Sequence, residues 1–400
     1  MRHDINKALM YCTIMNNSLV DFRCIRELEE RNIIGGYKDL YETLCRGIDL
    51  RLLTEGSRVK ISELRTHMSI LEAKYDYYYN IIRSKGISII DDESEFYPVI
   101  WEGISGIPKV LFVIGDPAKL RSIDARGAVS VVGSRQPGRY SVYATGDFVR
   151  KLTERGIVTV SGMAMGIDRT AHVASMDAGG ITVAVMPGGC DEIYPKQNVD
   201  VYRRIAEGGG VIISELPPSS GVRKQYFPSR NRLISALSDA CLIMEAGEYS
   251  GTLHTASFAA AQGRDVYVLP NNIYADNCMG GLKLIGDGAS VLLDENDVID
   301  SVAERLLSRK VSCGTGVLRK DPEIIAAEIK RKIDKLPEEV TDKDIEFLIN
   351  DELQVRDLSV DDLVARTKIP FYRISQILSD MEIRHMVFIQ KGKYSLTMSH

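Results

Sequence analysis

The residues best placed to do chemistry are Phe227-Pro228-Ser229-Arg230-Asn231-Arg232, followed by Leu233, Ile234 and Leu237. The three apolar residues make one face of a helix. Proline suits the first turn of that helix, because the N–H it lacks would have no partner there. Arg230, Asn231 and Arg232 therefore fall at or near a helix N-terminus, where the dipole and free backbone N–H groups favour anions. Two guanidinium forks and an amide beside such an end form a candidate phosphate-binding corner. A solvated basic helix start with no ligand fits the same residues, and the stretch alone does not choose between the two.

More candidates follow short apolar runs. They are Gly133-Ser134-Arg135, Ser161-Gly162-Met163-Ala164-Met165-Gly166-Ile167-Asp168, Pro187-Gly188-Gly189-Cys190-Asp191, and Ser250-Gly251-Thr252-Leu253-His254-Thr255. Glycine lets backbone amides approach a ligand, and hydroxyls add donors. Each loop alone is weak evidence, since any parallel sheet needs such turns, but their concurrence on one rim is stronger. No G-x-G-x-x-G follows the first run, and neither a phosphate-loop lysine motif nor a G-x-S-x-G elbow occurs. Asp168 reads as a helix cap, with general base or ribose ligand as its other roles. His172 reads as a packed side chain and His254 as a rim contact. The tyrosines Tyr75, Tyr77, Tyr78 and Tyr79 read as helix-packing residues in preference to base-stacking ones.

The chain has 400 residues and a formal net charge of −5, with a pI near 5.8. A nucleic-acid surface must then be a local basic patch on an acidic protein. The seven cysteines are scattered with no C-x-x-C pair, and the six histidines lack ligand spacing. Neither a disulfide framework, a metal site nor a cofactor is expected. The N-terminus has no signal-type apolar core and no run reaches membrane-spanning length, so a cytoplasmic protein without membrane contact is expected.

These residues need a frame. Apolar runs at 128–132, 157–160, 181–186, 211–214, 240–244 and 265–269 alternate with segments of helical period. That pattern predicts an α/β fold, a doubly wound and mostly parallel sheet with helices on both faces and ligands at the carboxyl ends of the strands. Val110 to Ile114 reads as an edge strand leading into it. The expected domains are a helical segment over 1–90, with one long amphipathic helix from Ile61 to about Ile82, a core over 91–305, a linker over 306–340 and a C-terminal domain over 341–400. In the last, helices at 344–350, 359–367 and 371–381 precede a hairpin at 387–390 and 393–396, which together spell a winged helix.

Taken together the rim loops resemble the DNA-processing protein A (DprA/Smf) family. The resemblance rests on Gly133-Ser134-Arg135, the Ser161–Asp168 loop with Ala171-His172, Tyr194-Pro195, Ser214-Glu215, Phe227 to Ile234, Ser250-Gly251-Thr252 with Thr255-Ala256, and Gly263-Arg264. It spans roughly 97–293. It implies an extended Rossmann-like core that binds single-stranded DNA, dimerises and helps load the RecA recombinase in DNA uptake, natural transformation or recombination, without catalysis. By position Arg135, Lys224, Phe227, Ser229, Arg230 and Asn231 should line the DNA pocket, with Phe227 as stacking platform and the cations on phosphates. Gly133, Ser134, Ser161, Gly162, Arg232, Ser250, Gly251, Thr252 and Thr255 join the same interface. On this reading Arg230→Ala should weaken binding and lower the salt slope by about one ion. The chain departs from the family pattern at Asn271, Leu282, His254 and Met165. The rival expectations are a nucleotide-binding or nucleoside monophosphate-hydrolysing enzyme, and a transcription regulator acting through the winged helix.

Overall fold

The computed structural model describes residues 6–16, 21–275 and 277–312, and in the C-terminal part residues 345, 346, 349, 353, 363, 374, 377, 378, 381, 387–390 and 393–396. The chain divides into two compact units, residues 1–314 and 315–400.

The first unit begins with helices α1 (Lys7–Met15), α2 (Phe22–Glu30), α3 (Leu40–Arg46), α4 (Glu55–Thr66) and α5 (Met68–Lys85). Asn6 caps α1 by accepting from the Leu9 N–H at 2.9 Å, and Asp21 caps α2 by accepting from the Cys24 N–H at 3.0 Å. Each cap satisfies a donor that the helix leaves open. The single helix expected from Ile61 is two helices. At His67 the backbone moves to φ −102°, ψ 12° and ends α4, and the ring Nδ1 lies 2.8 Å from the Glu63 carbonyl. Tyr75 and Tyr78, one turn apart, are buried, and their hydroxyls accept from the Asn6 N–H and the Asn16 amide. Tyr77 and Tyr79 lie on the exposed side.

Nine strands follow: β1 (Ser88–Asp91), β2 (Val110–Gly115), β3 (Ala128–Gly133), β4 (Val158–Ser161), β5 (Thr182–Val185), β6 (Gly210–Ser214), β7 (Ala240–Glu245), β8 (Asp265–Val268) and β9 (Ser290–Val291). They form one sheet in the order β1-β2-β6-β5-β4-β3-β7-β8-β9. The pairs β1/β2 and β2/β6 are antiparallel and the rest parallel. All six strands read from apolar runs are present. Val110–Gly115 is not the edge, because β1 pairs outside it. Strand β1 also spans the boundary placed at residue 90, so the helical segment and the sheet are not separate domains.

Between the strands run α6 (Pro117–Arg121), α7 (Ile123–Arg126), α8 (Arg139–Glu154), α9 (Ile167–Asp177), α10 (Val199–Arg204), α11 (Tyr226–Ala236), α12 (Thr252–Ala261) and α13 (Met279–Gly286), and α14 (Glu295–Ser312) follows β9. Strand alternation sorts the core into faces. Val129, Val131, Leu242 and Met244 meet α8, α9 and α14 on one face, while Val160, Val185 and Ile243 meet α11 and α12 on the other. Phe112, Ala184 and Ile212 continue into a core shared with Leu9, Leu40, Leu71 and Tyr75 of the N-terminal helices. Burying a side chain of the Leu, Ile or Phe class contributes about 1.5–3 kcal/mol, so this shared layer holds the helices firmly on the sheet.

Helix α14 fastens the opposite end of the sheet. Val298 and Val302 enter the core, Arg309 pairs with the buried Asp239, and Asp239 accepts from the Ala128 N–H at 2.9 Å. A cavity of about 810 Å³ opens there, lined by Arg264 and Asp265 at the start of β8 and by Arg305 and Arg309 of α14. Because α14 continues to Ser312, the linker expected from residue 306 begins inside a helix; residues 313–340 lie outside the described ones.

In the second unit Ile345, Ile349, Leu353, Leu363, Ile374, Ile377, Leu378, Met381 and Val387 form a core, with Tyr394 packed against it. The expected hairpin is present as β10 (Val387–Gln390) and β11 (Lys393–Leu396), antiparallel with Gln390 opposite Lys393. The three helices expected before it, and with them the winged helix, rest largely on residues outside the described ones.

Candidate nucleic-acid interface

The parallel strands deliver most of the singled-out residues to one rim. Gly133 ends β3, and Ser134 and Arg135 follow it. Ser161 ends β4, with its Oγ donating to the Val131 carbonyl at 2.7 Å, and Gly162 comes next. Ser250 and Gly251 lie in the loop after β7, and Thr252 and Thr255 open α12. Lys224 precedes α11, and Phe227, Ser229, Arg230 and Asn231 lie in its first two turns. The helix begins at Tyr226, two residues before the proline, so the arginines sit about half a turn further in than the sequence suggests.

The Gly162 peptide is held from both sides. Its N–H donates to Asp168 Oδ2 at 3.1 Å, and its carbonyl accepts from Arg230 Nη1 at 2.5 Å. The same Nη1 reaches the Val185 carbonyl at 2.5 Å, so one guanidinium ties the ends of β4 and β5 to α11. Arg230 is only 5% exposed. A Cβ on residue 162 would lie 2.6 Å from Nη1, which only glycine avoids. Burial pushes the Asp168 carboxyl up, against the pull of Arg230, and burial pushes the Arg230 guanidinium down to about 10, against the pull of Asp168. Arg230 is therefore a positioning residue beneath the rim, and the salt-slope effect expected of it passes to exposed cations. Asp168 lies inside the first turn of α9 rather than at its cap. It accepts from the Gly162 and Ala164 N–H groups, the latter at 3.3 Å, and so caps the loop instead.

His172 is packed, as its position in α9 suggests. Thr182 Oγ1 donates to the Thr159 carbonyl at 3.1 Å, so it accepts from His172 Nδ1–H at 2.7 Å. Nε2 is buried without a partner. Burial, aided by the Arg230 charge, pushes the imidazole down to about 3, so it is neutral at ordinary pH. His254 is exposed near the start of α12.

The outer surface is aromatic and cationic. The Arg135 guanidinium lies 5.3 Å from the centroid of the half-buried Phe227 ring, and Tyr194 meets that ring edge-on at 5.9 Å. Arg135 and Lys224 are exposed, and Ser229 and Asn231 are partly so. Asn231 Nδ2 donates to the Gly251 carbonyl at 3.4 Å, which brings the loop after β7 to the same place. Thr252 and Thr255 are buried behind it. Arg232, two positions beyond Arg230 and so on the far side of the helix, pairs with Glu215 and does not join the pocket.

Three groups that shape the rim were not picked out as site residues. Tyr194 walls Phe227, and its signal was the Tyr194-Pro195 pair. Glu245, just past an apolar run, accepts from the Gly138 N–H at 2.9 Å and Ser141 Oγ at 2.7 Å, which fixes the loop after β3. Asp191 accepts from Lys85 Nζ at 2.7 Å and the Ser219 N–H at 2.8 Å, which ties α5 to the rim. Asp191 lies in the Pro187–Asp191 loop singled out in the sequence, but its partners, like those of Glu245, are distant in the chain and gave no signal. An open guanidinium, an ammonium and a ring face can hold phosphates and stack a base. Among the described residues, no group of three or more His, Cys, Asp or Glu side chains is placed to hold a metal ion, and no helix is long and apolar enough to cross a membrane.

Comparison with known proteins gives a consistent result. Residues 88–303 match the family described as DNA recombination-mediator protein A. The DNA processing protein DprA of Bacillus subtilis (strain 168) is 33% identical over 249 residues, which are 62% of this chain and 82% of that protein. Protein Smf of Synechocystis sp. (strain ATCC 27184 / PCC 6803 / Kazusa) is 38% identical over 211 residues, 53% of this chain and 52% of that one. The X-ray structure of DNA processing protein A from Streptococcus pneumoniae superposes with a TM-score of 0.60 at 26% identity, covering 74% of this chain and 98% of that one.

Proposed function

Since the chain belongs to the DNA recombination-mediator protein A family, we propose that its rim binds single-stranded DNA without cutting or modifying it. The observation that carries this reading is the exposed Arg135 guanidinium set over the Phe227 ring at the carboxyl end of a parallel sheet. A base takes the ring face, and the displaced guanidinium and Lys224 neutralise phosphates on either side. A flexible single strand can splay a base into such a pocket, whereas a duplex keeps its bases stacked. Ser229, Asn231 and the Ser250–Gly251 turn supply neutral contacts around the base, with Gly133, Ser134, Ser161 and Gly162 as backbone of the pocket floor. Thr252, Thr255 and Arg232 stay outside the direct contacts because of their burial and pairing.

The bound strand is then handed to the RecA recombinase in transformation or recombination, with a cytoplasmic homodimer as the working form. The family's description as a recombination mediator supports that step. Fluorescence anisotropy on labelled single-stranded and duplex oligonucleotides across a salt series tests the core of the proposal. Single strands are expected to bind more tightly. Arg135→Ala should lower the salt slope by about 0.7, the value for one phosphate contact on a single strand. Phe227→Ala should cost about 1–3 kcal/mol with the slope unchanged. Equal or absent binding of both forms would overturn it.

A further inference from the structure

The rim continues past the Phe227 pocket. In sheet order the strand ends run β5, β4, β3, β7, β8, four intervals that together span about 19 Å at the usual strand spacing. Tyr194 and Phe227 occupy the β5 side. On the β3, β7 and β8 side stand Tyr140 and Tyr143 in the first turns of α8, Tyr249 in the loop after β7 and Tyr274 in the loop after β8. Their exposures are 52%, 76%, 95% and 88%. Tyrosine normally buries its ring, so four such rings on one rim call for a partner.

The loops that carry them are knitted together. The Glu245 carboxylate holds Gly138 and Ser141, and Ser141 Oγ in turn accepts from Asn271 Nδ2 at 3.1 Å. The Gly281 N–H donates to the Ala246 carbonyl at 3.0 Å, and Gly280 lies so close to the Gly247 carbonyl that a Cβ there would collide with it. The exposed tyrosines thus stand on loops that these contacts join into one ledge. Charged groups lie among them, notably the Lys283–Glu248 pair beside Tyr249. A dry interface between protein copies excludes charge from its centre, whereas a nucleic-acid track interleaves charge with rings.

We infer that the single strand leaves the Phe227 pocket along this ledge toward β8 and stacks successive bases on Tyr249 and Tyr274, with Tyr140 and Tyr143 beside them. The inference rests on the single-strand reading of the rim and adds a second, aromatic segment to it.

The test uses the full chain, a Tyr249→Ala/Tyr274→Ala double variant and Phe227→Ala, with thymidine oligonucleotides of about 5 and about 15 nucleotides, within the usual range of single-strand sites. The double variant should bind the short strand like wild type and the long strand about ten-fold more weakly, with an unchanged salt slope because stacking releases no ions. Long strands carrying 5-iododeoxyuridine should photocrosslink to peptides containing Tyr249 or Tyr274. Long-strand affinity equal to wild type, with crosslinks confined to peptides holding Arg135 or Phe227, would overturn the inference and leave the pocket reading intact. Loss of neither strand in Phe227→Ala would overturn the pocket reading as well. A change of molar mass in the double variant, at wild-type long-strand affinity, would assign the ledge to contact between copies and overturn the inference.

Discussion

At the scale of single residues, type and location separate. Arg230 and Arg232 are chemically identical and two positions apart, yet one turns inward to two carbonyls and the other pairs with Glu215. The exposed cations Arg135 and Lys224 are left to meet solvent. The sequence could mark the stretch as basic and helical, but it could not say which guanidinium is buried, because the carbonyls of Gly162 and Val185 arrive from distant strands. Arg230→Ala should therefore act through stability. It takes their shared donor from the buried Gly162 and Val185 carbonyls, and a buried acceptor left unpaired costs about 1–3 kcal/mol. Urea denaturation reads that loss, while any binding left in the folded fraction should keep its full salt slope. Gly162→Ala should cost about 1–3 kcal/mol by overpacking against the same guanidinium. His172 sets a pH dependence. Its folded-state value near 3 lies below the ordinary 6.5, so the unfolded chain binds the proton first. Its stabilising contribution is complete above pH 6.5 and is lost as pH falls toward 3, at about 1.4 kcal/mol per unit. Comparing wild type with His172→Asn at pH 7 and pH 5 isolates it; the variant should show the shallower loss.

At the scale of elements, the strands were legible wherever both faces are buried. Ala128–Val132 and Ala240–Met244 read as unbroken apolar runs because helices cover both sides of them. Strand β1 was not legible. Ser88-Ile89-Ile90-Asp91 is short, polar at both ends and next to a helix, so its identity comes from pairing with β2 rather than from its own residues. The end of α14 was missed for a related reason. Its last turns are charged and look like linker, but Arg309 is tied to Asp239 at the foot of β7. Asp239→Ala removes the acceptor of both the Ala128 N–H and Arg309. It should lower stability by about 3–5 kcal/mol, measured by chemical denaturation, although it lies at the opposite end of the strands from the rim. Single-strand affinity of the folded variant should be unchanged.

At the scale of the whole molecule, the N-terminal helices behave as part of the sheet. Leu9 and Phe112 lie in one core, and Lys85 reaches the rim through Asp191. A shortened protein lacking residues 1–86 should aggregate, because Phe112 and Ile212 would lose their cover. Residues 1–314 expressed alone should melt at the same temperature as the corresponding transition of the full chain, since they form a unit with its own core. Differential scanning calorimetry checks both. The width of the sheet was not foreseen, and it has one more effect. Nine strands end on β1 with four residues and on β9 with two, so each margin offers few backbone groups to a neighbouring strand. Growth by strand addition is thereby blunted at both margins. Copies of this protein that meet must recognise each other through side chains, so the strength of their association can be tuned one substitution at a time without disturbing the sheet.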